Sequence, residues 1–262
     1  MVKYKHVRDY MFVYKLNSTQ SVGIDPSELL KEYMRRCKEY NLKARAKAVT
    51  KLFPATFSNL RVLDVGCGGG YYSLMVANKG AKEIVAFDIE TLLIKAAKLN
   101  LKEKLELKID GVNGDCINLP FKDRIFDVII CVGVFDRVSK TSLLMGEIAR
   151  IIKNNGCLIL TSRNPLSLSN LMYKKSMSLY SFKRIKEILQ KRGFEILRSS
   201  GAIFIPYSEI GFFLRARSTL SSPIERILRK IDETLQILSD KPPINKFSWE
   251  IAYFGKRRYN SK

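Results

Sequence analysis

VLDVGCGGG, residues 62–70, sets three apolar residues and Asp64 directly against glycines at 66, 68, 69 and 70, and a helical pattern begins at Tyr71. That order predicts a buried strand, a tight turn and a helix N-terminus. Glycine suits such a turn because the backbone must take conformations that a Cβ forbids. A ligand can also approach closely only where no side chain stands in the way. The helix start behind the turn presents N–H groups and a partial positive charge, which suit a carboxylate or a phosphate. The turn is therefore expected to hold a small anionic or zwitterionic ligand.

Outward from this stretch, strands and helices alternate. Glu83 to Asp88 (EIVAFD) reads as a second buried strand, and Leu92, Leu93, Ala96, Ala97 and Leu99 repeat at helical spacing. A third strand begins over Leu105 to Ile109 and leads to Asn113-Gly114-Asp115-Cys116. Phe126 to Val132 (FDVIICV) is nearly continuous in apolar residues, as a strand covered on both faces should be. Leu144, Ile148, Ile151 and Ile152 share a helix face, and Gly156 to Ser162 (GCLILTS) is a fifth strand. Phe182, Ile185, Ile188 and Leu189 form another amphipathic helix, stopped by Lys191-Arg192-Gly193. A sixth strand lies within Phe194 to Ile205, a helix covers Ile224 to Leu238, and Lys246 to Gly255 alternates as an edge or antiparallel strand does. The expected fold is α/β: a doubly wound, seven-stranded, mostly parallel sheet with an antiparallel last strand.

Upstream, residues 1–20 show no clear period. Asp25, Pro26 and Glu28 mark a helix start that runs through Leu29, Leu30, Tyr33 and Met34, and a second helix carries Ala44 to Phe53 before Pro54. Residues 1–60 are thus expected to be an arm and helical cap on a domain spanning 61–262, with a lid-like insertion around 203–245.

Composition bounds the function. The 262 residues are 46% apolar, and no stretch is long enough to span a bilayer, so a soluble protein is expected. The opening MVKYKHVRDY lacks the apolar run of a secretory signal, and the five cysteines form no C-x-x-C pair. Both point to a reducing, cytoplasmic setting, with Cys37, Cys67, Cys116, Cys131 and Cys157 as small hydrophobes. The single histidine, His6, gives poor support to a metal site or a Ser/His triad. The net charge of +21 fits nucleic acid or an anionic membrane surface. Lysines scattered as Lys95, Lys98, Lys102, Lys104 and Lys108 read instead as a solvated face.

The glycine spacing narrows the ligand. A dinucleotide fold wants glycine three positions after Gly68, where Tyr71 stands. Here glycines alternate at 66, 68 and 70 behind Asp64, a D-x-G-x-G-x-G pattern that resembles motif I of the class I methyltransferases using S-adenosylmethionine. With VAFDIE, NGDCINLPF, FDVIICVGVF and IARIIKNNGCLILTSRNP following in order, residues 61–200 resemble the methyltransferase domain family that includes quinone-ring, sugar and other small-molecule methylases. The resemblance implies a Rossmann-like domain with S-adenosyl-L-methionine as cofactor. It assigns Gly66, Cys67, Gly68 and Gly70 to the turn and Asp64 to ordering the loop and the cofactor's amino group. Asp88 would take ribose hydroxyls, although by itself it also reads as a helix-capping acid. Ile89 would give an apolar face, Asp115 would accept the adenine amino group, and Cys116 would offer its backbone N–H. The Gly66 carbonyl and Cys131 would meet the methionine part.

The acceptor side is less defined. Asp136 reads as a base or acceptor-orienting residue, or as a cap of the next helix or a partner of Arg137. Asn164, in Arg163-Asn164-Pro165, either lines the acceptor or forms a turn. Tyr207 reaches in from a lid or packs half-buried. Ile203 to Leu214 is a lid, a core segment, or a peripheral membrane contact with Arg215 and Arg217 on headgroups. The expected reaction is methyl transfer to a small-molecule acceptor such as a quinone, lipid or glycan precursor. An RNA methyltransferase is the nearest rival, prompted by the charge. It is disfavoured because ICVGVF lacks the Asn/Asp-Pro-Pro-Tyr/Phe and Pro-Cys turns that base methylases resemble. A non-catalytic protein that binds S-adenosylmethionine is the second rival.

Overall fold

A computed structural model describes residues 25–28, 31, 40–81, 83–102, 108–167, 180–204, 221–241 and 244–258. Its elements in chain order are α1 (Tyr40–Thr50), β1 (Arg61–Val65), α2 (Tyr71–Ala77), β2 (Glu83–Asp88), α3 (Thr91–Leu101), β3 (Lys108–Asn113) and β4 (Phe126–Cys131). They continue with α4 (Thr141–Ile151), β5 (Ile152–Arg163), α5 (Phe182–Lys191), β6 (Phe194–Ala202), α6 (Ser221–Ile237) and β7 (Glu250–Arg257). The seven strands form one sheet in the order β3-β2-β1-β4-β5-β7-β6. Pairings from β3 through β5 are parallel, and β7 runs antiparallel to both its neighbours, as the sequence led us to expect.

Alternation along the strands divides the core. Leu63, Val65, Phe87, Ile129 and Cys131 face one layer, where Leu144 and Ile148 of α4 and Ile185 and Leu189 of α5 close over them. Val62, Ile84, Val128 and Ile130 face the other, against Val49 of α1 and Val76 of α2. β4 lies between β1 and β5 and is buried along nearly its whole length, which explains its unbroken apolar sequence. The strand order reverses between β1 and β4, and the carboxyl ends of the strands at such a switch point are where open α/β sheets bind ligands.

Several expectations are corrected in detail. β5 extends back to Ile152 and β7 is shifted to Glu250–Arg257, while the start of β3 expected at Leu105 lies outside the described residues. In α3 the buried stripe is Leu93, Ile94, Ala96, Ala97 and Leu101, while Leu99 is exposed. Ile203 and Phe204 are core residues: Ile203 packs with Ala44, Ala48, Ala202 and Trp249, and the Phe204 N–H donates to Asp232. Asp25 does cap, accepting from the N–H and hydroxyl of Ser27. Cys67, Cys116, Cys131 and Cys157 are free thiols. Residues 1–24, most of the helix expected through Met34, Cys37, Tyr207, and the segment from 205 to 220 that carries Arg215 and Arg217 lie outside the described residues.

Candidate functional site

The turn after β1 is strapped to the end of β2. The N–H groups of Gly66 and Cys67 both donate to the Phe87 carbonyl, at 2.7 and 3.0 Å, and the Gly70 N–H donates to the Cys67 carbonyl. Gly68 N–H donates to Asp88 Oδ2 at 3.0 Å. These four N–H groups are therefore spent inside the protein, and the turn offers shape and carbonyls more than the N–H cradle the glycines suggested. Two of the glycines have a steric reason as well. Gly66 sits at φ 71° with Val134 packed where its Cβ would be, and Gly70, at φ 80°, would press a Cβ against Ala97 of α3.

Below the turn stand two acids. Asp64 projects from β1 toward α2, where its Oδ2 accepts the Ser73 N–H at 3.1 Å and the Ser73 hydroxyl at 2.6 Å, so it fixes the first turn of that helix. Asp88, ending β2, also accepts the Glu90 N–H at 3.0 Å. Burial pushes Asp64 up to about 6, and the Asp88 charge adds to the rise. Burial likewise raises Asp88, against the pull of its backbone N–H donors. Neither acid has a Lys or Arg in hydrogen-bond contact among the described residues, so the pair is complementary to a cationic group.

The end of β3 is laced to the same place. Gly114 N–H donates to the Asp88 carbonyl, and the Asn113 amide donates to the carbonyls of Asp88 and Ile89. Asp115 follows, with Oδ1 accepting the Ile117 N–H at 3.1 Å. Ile89 is 49% exposed, an apolar surface left open between the two strand ends. The thiols join the group electrostatically. Burial raises Cys67 and Cys131 and pushes Cys116 up to about 12, with the charges of Asp64 and Asp88 acting on Cys67, Asp115 and Asp88 on Cys116, and Asp64 and Asp136 on Cys131. All three stay neutral at ordinary pH. The glycine turn and the carboxyl ends of β2 and β3 are thus tied together by hydrogen bonds.

A second cluster lies at the carboxyl ends of β4 and β5. Asp136, in the 3-10 turn Phe135–Arg137, accepts the Arg163 N–H through Oδ2 at 2.8 Å, while its buried Oδ1 has no hydrogen-bond partner. Burial first, and the Glu250 charge, push it up to about 7. It neither caps α4 nor pairs with Arg137, so both structural readings of it are corrected. Sequence reasoning missed its neighbours. Arg45 of α1 donates to buried Glu250 at 2.6 Å, and Arg45 holds Glu250 below the usual carboxylate range despite burial. Thr161 donates to the same carboxylate and accepts the Gly133 N–H, and Arg163 lies over the Trp249 ring. Glu250, an acid opening an apolar alternating strand, is the signal that was available.

Asn164 takes the turn-forming role of its two readings. Its amide nitrogen donates to the carbonyls of Lys246 and Ser248, and its oxygen accepts the Leu166 N–H, which commits the side chain to the turn. A separate hollow of about 450 Å³ lies at the opposite, amino ends of β1, β2 and β4. Ion pairs Arg61–Glu83 and Lys153–Asp127 line it, far from the glycine turn. No group of acids, cysteines or histidines among the described residues is arranged to hold a metal. No helix among them is long and apolar enough to cross a membrane.

Residues 63–160 match the family model described as a methyltransferase domain. An uncharacterised protein of Methanocaldococcus jannaschii is 34% identical over 173 residues, covering 66% of each chain. A ubiquinone biosynthesis O-methyltransferase of Rickettsia typhi is 32% identical over 119 residues, 44% of this chain and 45% of that one. The chain therefore spans less than two thirds of the length of these relatives. A solved S-adenosylmethionine-dependent methyltransferase of Thermotoga maritima shares the fold, with a TM-score of 0.59 at 18% identity over 88% of this chain and 97% of that one.

Proposed function

We propose that the chain is a class I S-adenosylmethionine-dependent methyltransferase that transfers a methyl group to a small-molecule acceptor, a reading supported by the methyltransferase-domain match over residues 63–160. The observation that carries the reading is the pair of buried acids, Asp64 and Asp88, with no Lys or Arg hydrogen-bonded to either among the described residues, beside a glycine turn at the β1/β4 switch point. Such a pair suits a ligand that carries an ammonium and a sulfonium, and the open Ile89 face suits an aromatic ring.

Bound there, the cofactor supplies a methyl carbon already activated by its sulfonium leaving group. Asp88 takes the ribose hydroxyls, Asp115 the adenine amino group, and Cys116 the ring through its backbone N–H. Asp64 orders the turn and faces the amino group, with the Gly66 carbonyl and Cys131 at the methionine end. Because the donor is activated, the protein's work is mainly alignment and exclusion of water, and orientation alone is worth effective molarities of order ~10⁵ M and upward. Asp136, with one oxygen unpartnered at the end of β4, is the group we assign to receive an acceptor proton. Residues 1–60 and the chain around 203–245 serve as the acceptor cap, for which the packing of α1 on Ala202 and Trp249 is the support.

The acceptor class is a quinone, lipid or glycan precursor. The test is mass spectrometry of metabolite, lipid and RNA extracts from cells with and without the gene. Loss of one 14-dalton increment from a small molecule supports the reading, and loss confined to RNA overturns it. The +21 charge favours RNA as the second reading. Tight tRNA binding with a steep salt dependence would support that instead.

A further inference from the structure

α4 runs directly into β5 at Ile152, and Lys256 of the antiparallel β7 pairs with Cys157 of β5, so Arg257 emerges at the amino ends of the parallel strands, the end away from the glycine turn. A hollow of about 370 Å³ lies there between the ends of α4, α5 and β7, lined by Arg150, Lys191, Arg192 and Arg257 with no acid in its walls. Arg150 is neutralised, since its guanidinium pairs with Glu147 and Asp123 at 2.8 Å each. The other three cations are held by neutral groups. Arg192 donates to the carbonyl and hydroxyl of Ser142 at 2.9 and 3.0 Å, and Arg257 donates to the Arg192 carbonyl and lies over the Phe194 ring. Among the described residues none of Lys191, Arg192 and Arg257 is bonded to a carboxylate.

Glycines make room for both guanidinium groups. Gly193, at φ 73°, leaves no space for a Cβ beside Arg257 Nη1, and Arg192 lies across the bare flank of Gly146 in α4, 3.5 Å from where its Cβ would be. Lys191 and Arg192 also answer the partial negative charge at the end of α5, but Arg257 comes from β7 and has no such reason to be there. Like charges gathered around one hollow repel, and an anion seated among them offsets that cost. We propose that this hollow binds a phosphate group, at a site that shares no residue with the glycine turn. Guanidinium forks match the oxygens of phosphate, and three cations without a carboxylate suit its double charge better than the single charge of a carboxylate. The phosphate belongs either to a free small molecule or to a nucleic-acid backbone.

Thermal unfolding in inorganic phosphate, against acetate at equal ionic strength, reads binding as a saturable rise in the midpoint. The wild type and Gly146→Ala should show that rise. Gly146→Asp, which sets a carboxylate of the chain's own against Arg192, should abolish it without lowering the midpoint in acetate. Arg192→Gln, whose hydrogen bonds go only to exposed Ser142, should also reduce it, and carries the test should Gly146→Asp fail to fold. Preferential exclusion of phosphate, by contrast, lifts every variant alike and does not saturate. Fluorescence anisotropy with a short labelled 5′-hydroxyl oligouridylate separates the two sources. Binding that Gly146→Asp and Arg192→Gln weaken about tenfold, the scale of a lost hydrogen bond to a charged group, assigns the site to a nucleic-acid backbone. Oligonucleotide binding that ignores these variants, beside a phosphate rise that they remove, assigns it to a free phosphate compound. An equal rise in wild type and variants, an equal rise in acetate, or no saturable effect of either probe overturns the proposal.

Discussion

Replacing Asp136 with Asn should flatten the dependence of stability on pH. In the fold, burial and the Glu250 charge raise this carboxyl from 3.8 to about 7. Its folded value lies above its unfolded one, so the stability it contributes is full below about pH 4 and is lost as pH rises through 7. A rise of about 3 units at 1.36 kcal/mol each is about 4 kcal/mol over the whole range, of which about 2 to 3 kcal/mol falls between pH 5 and 8. Asp64, raised to about 6, slopes in the same direction and remains in the variant as background. Asn keeps an acceptor for the Arg163 N–H, so the local turn survives the change. Urea unfolding at pH 5, 6.5 and 8 gives the free energies directly. The wild type should lose about 2 to 3 kcal/mol more than Asp136→Asn across that interval. Equal slopes would mean that the Asp136 carboxyl is solvated and that its orphaned oxygen has no energetic consequence.

Asp88→Ala should weaken S-adenosylmethionine binding by about 1 to 3 kcal/mol in calorimetry, and unchanged affinity would remove Asp88 from the ribose site. Ser73→Ala deletes the 2.6 Å hydroxyl bond to buried Asp64 and should reduce unfolding free energy by about 1 to 2 kcal/mol; a neutral result would contradict the anchoring role of that bond. Arg45→Met leaves Glu250 charged and buried, and should lower stability by about 3 to 5 kcal/mol in urea unfolding. Adding Glu250→Leu should restore much of the loss, and a further loss instead would show that the ion pair is not what holds α1 to β7.

The sheet was legible in the sequence because buried parallel strands announce themselves. FDVIICV has no alternation since α-helical layers cover both sides of β4, and the glycines at 66, 68 and 70 mark the turn whatever lies around it. The positions of Asp64, Asp88 and Asp115 were legible for the same reason, since each lies at or just beyond the carboxyl end of a strand whose place the pattern fixes. The acceptor side was not. Arg45 and Glu250 stand 205 positions apart, and Asn164 is bound to carbonyls 82 and 84 positions away, so no local pattern reports either. Ile203 shows the same limit from the other direction. A β-branched residue at φ 61° is locally unfavourable and is held there by burial against Ala48 and Trp249 and by the Trp249 N–H on its carbonyl. Ile203 and Phe204 take the core alternative of the three that this apolar run left open, through tertiary contacts that no local pattern reports.

Calorimetric titration of the wild-type protein with S-adenosylmethionine and with S-adenosylhomocysteine probes the glycine-turn site most directly. Saturable binding of both, one per chain and weakened by Asp88→Ala, is the predicted result. No detectable heat with either ligand, from protein shown to be folded, would contradict the account.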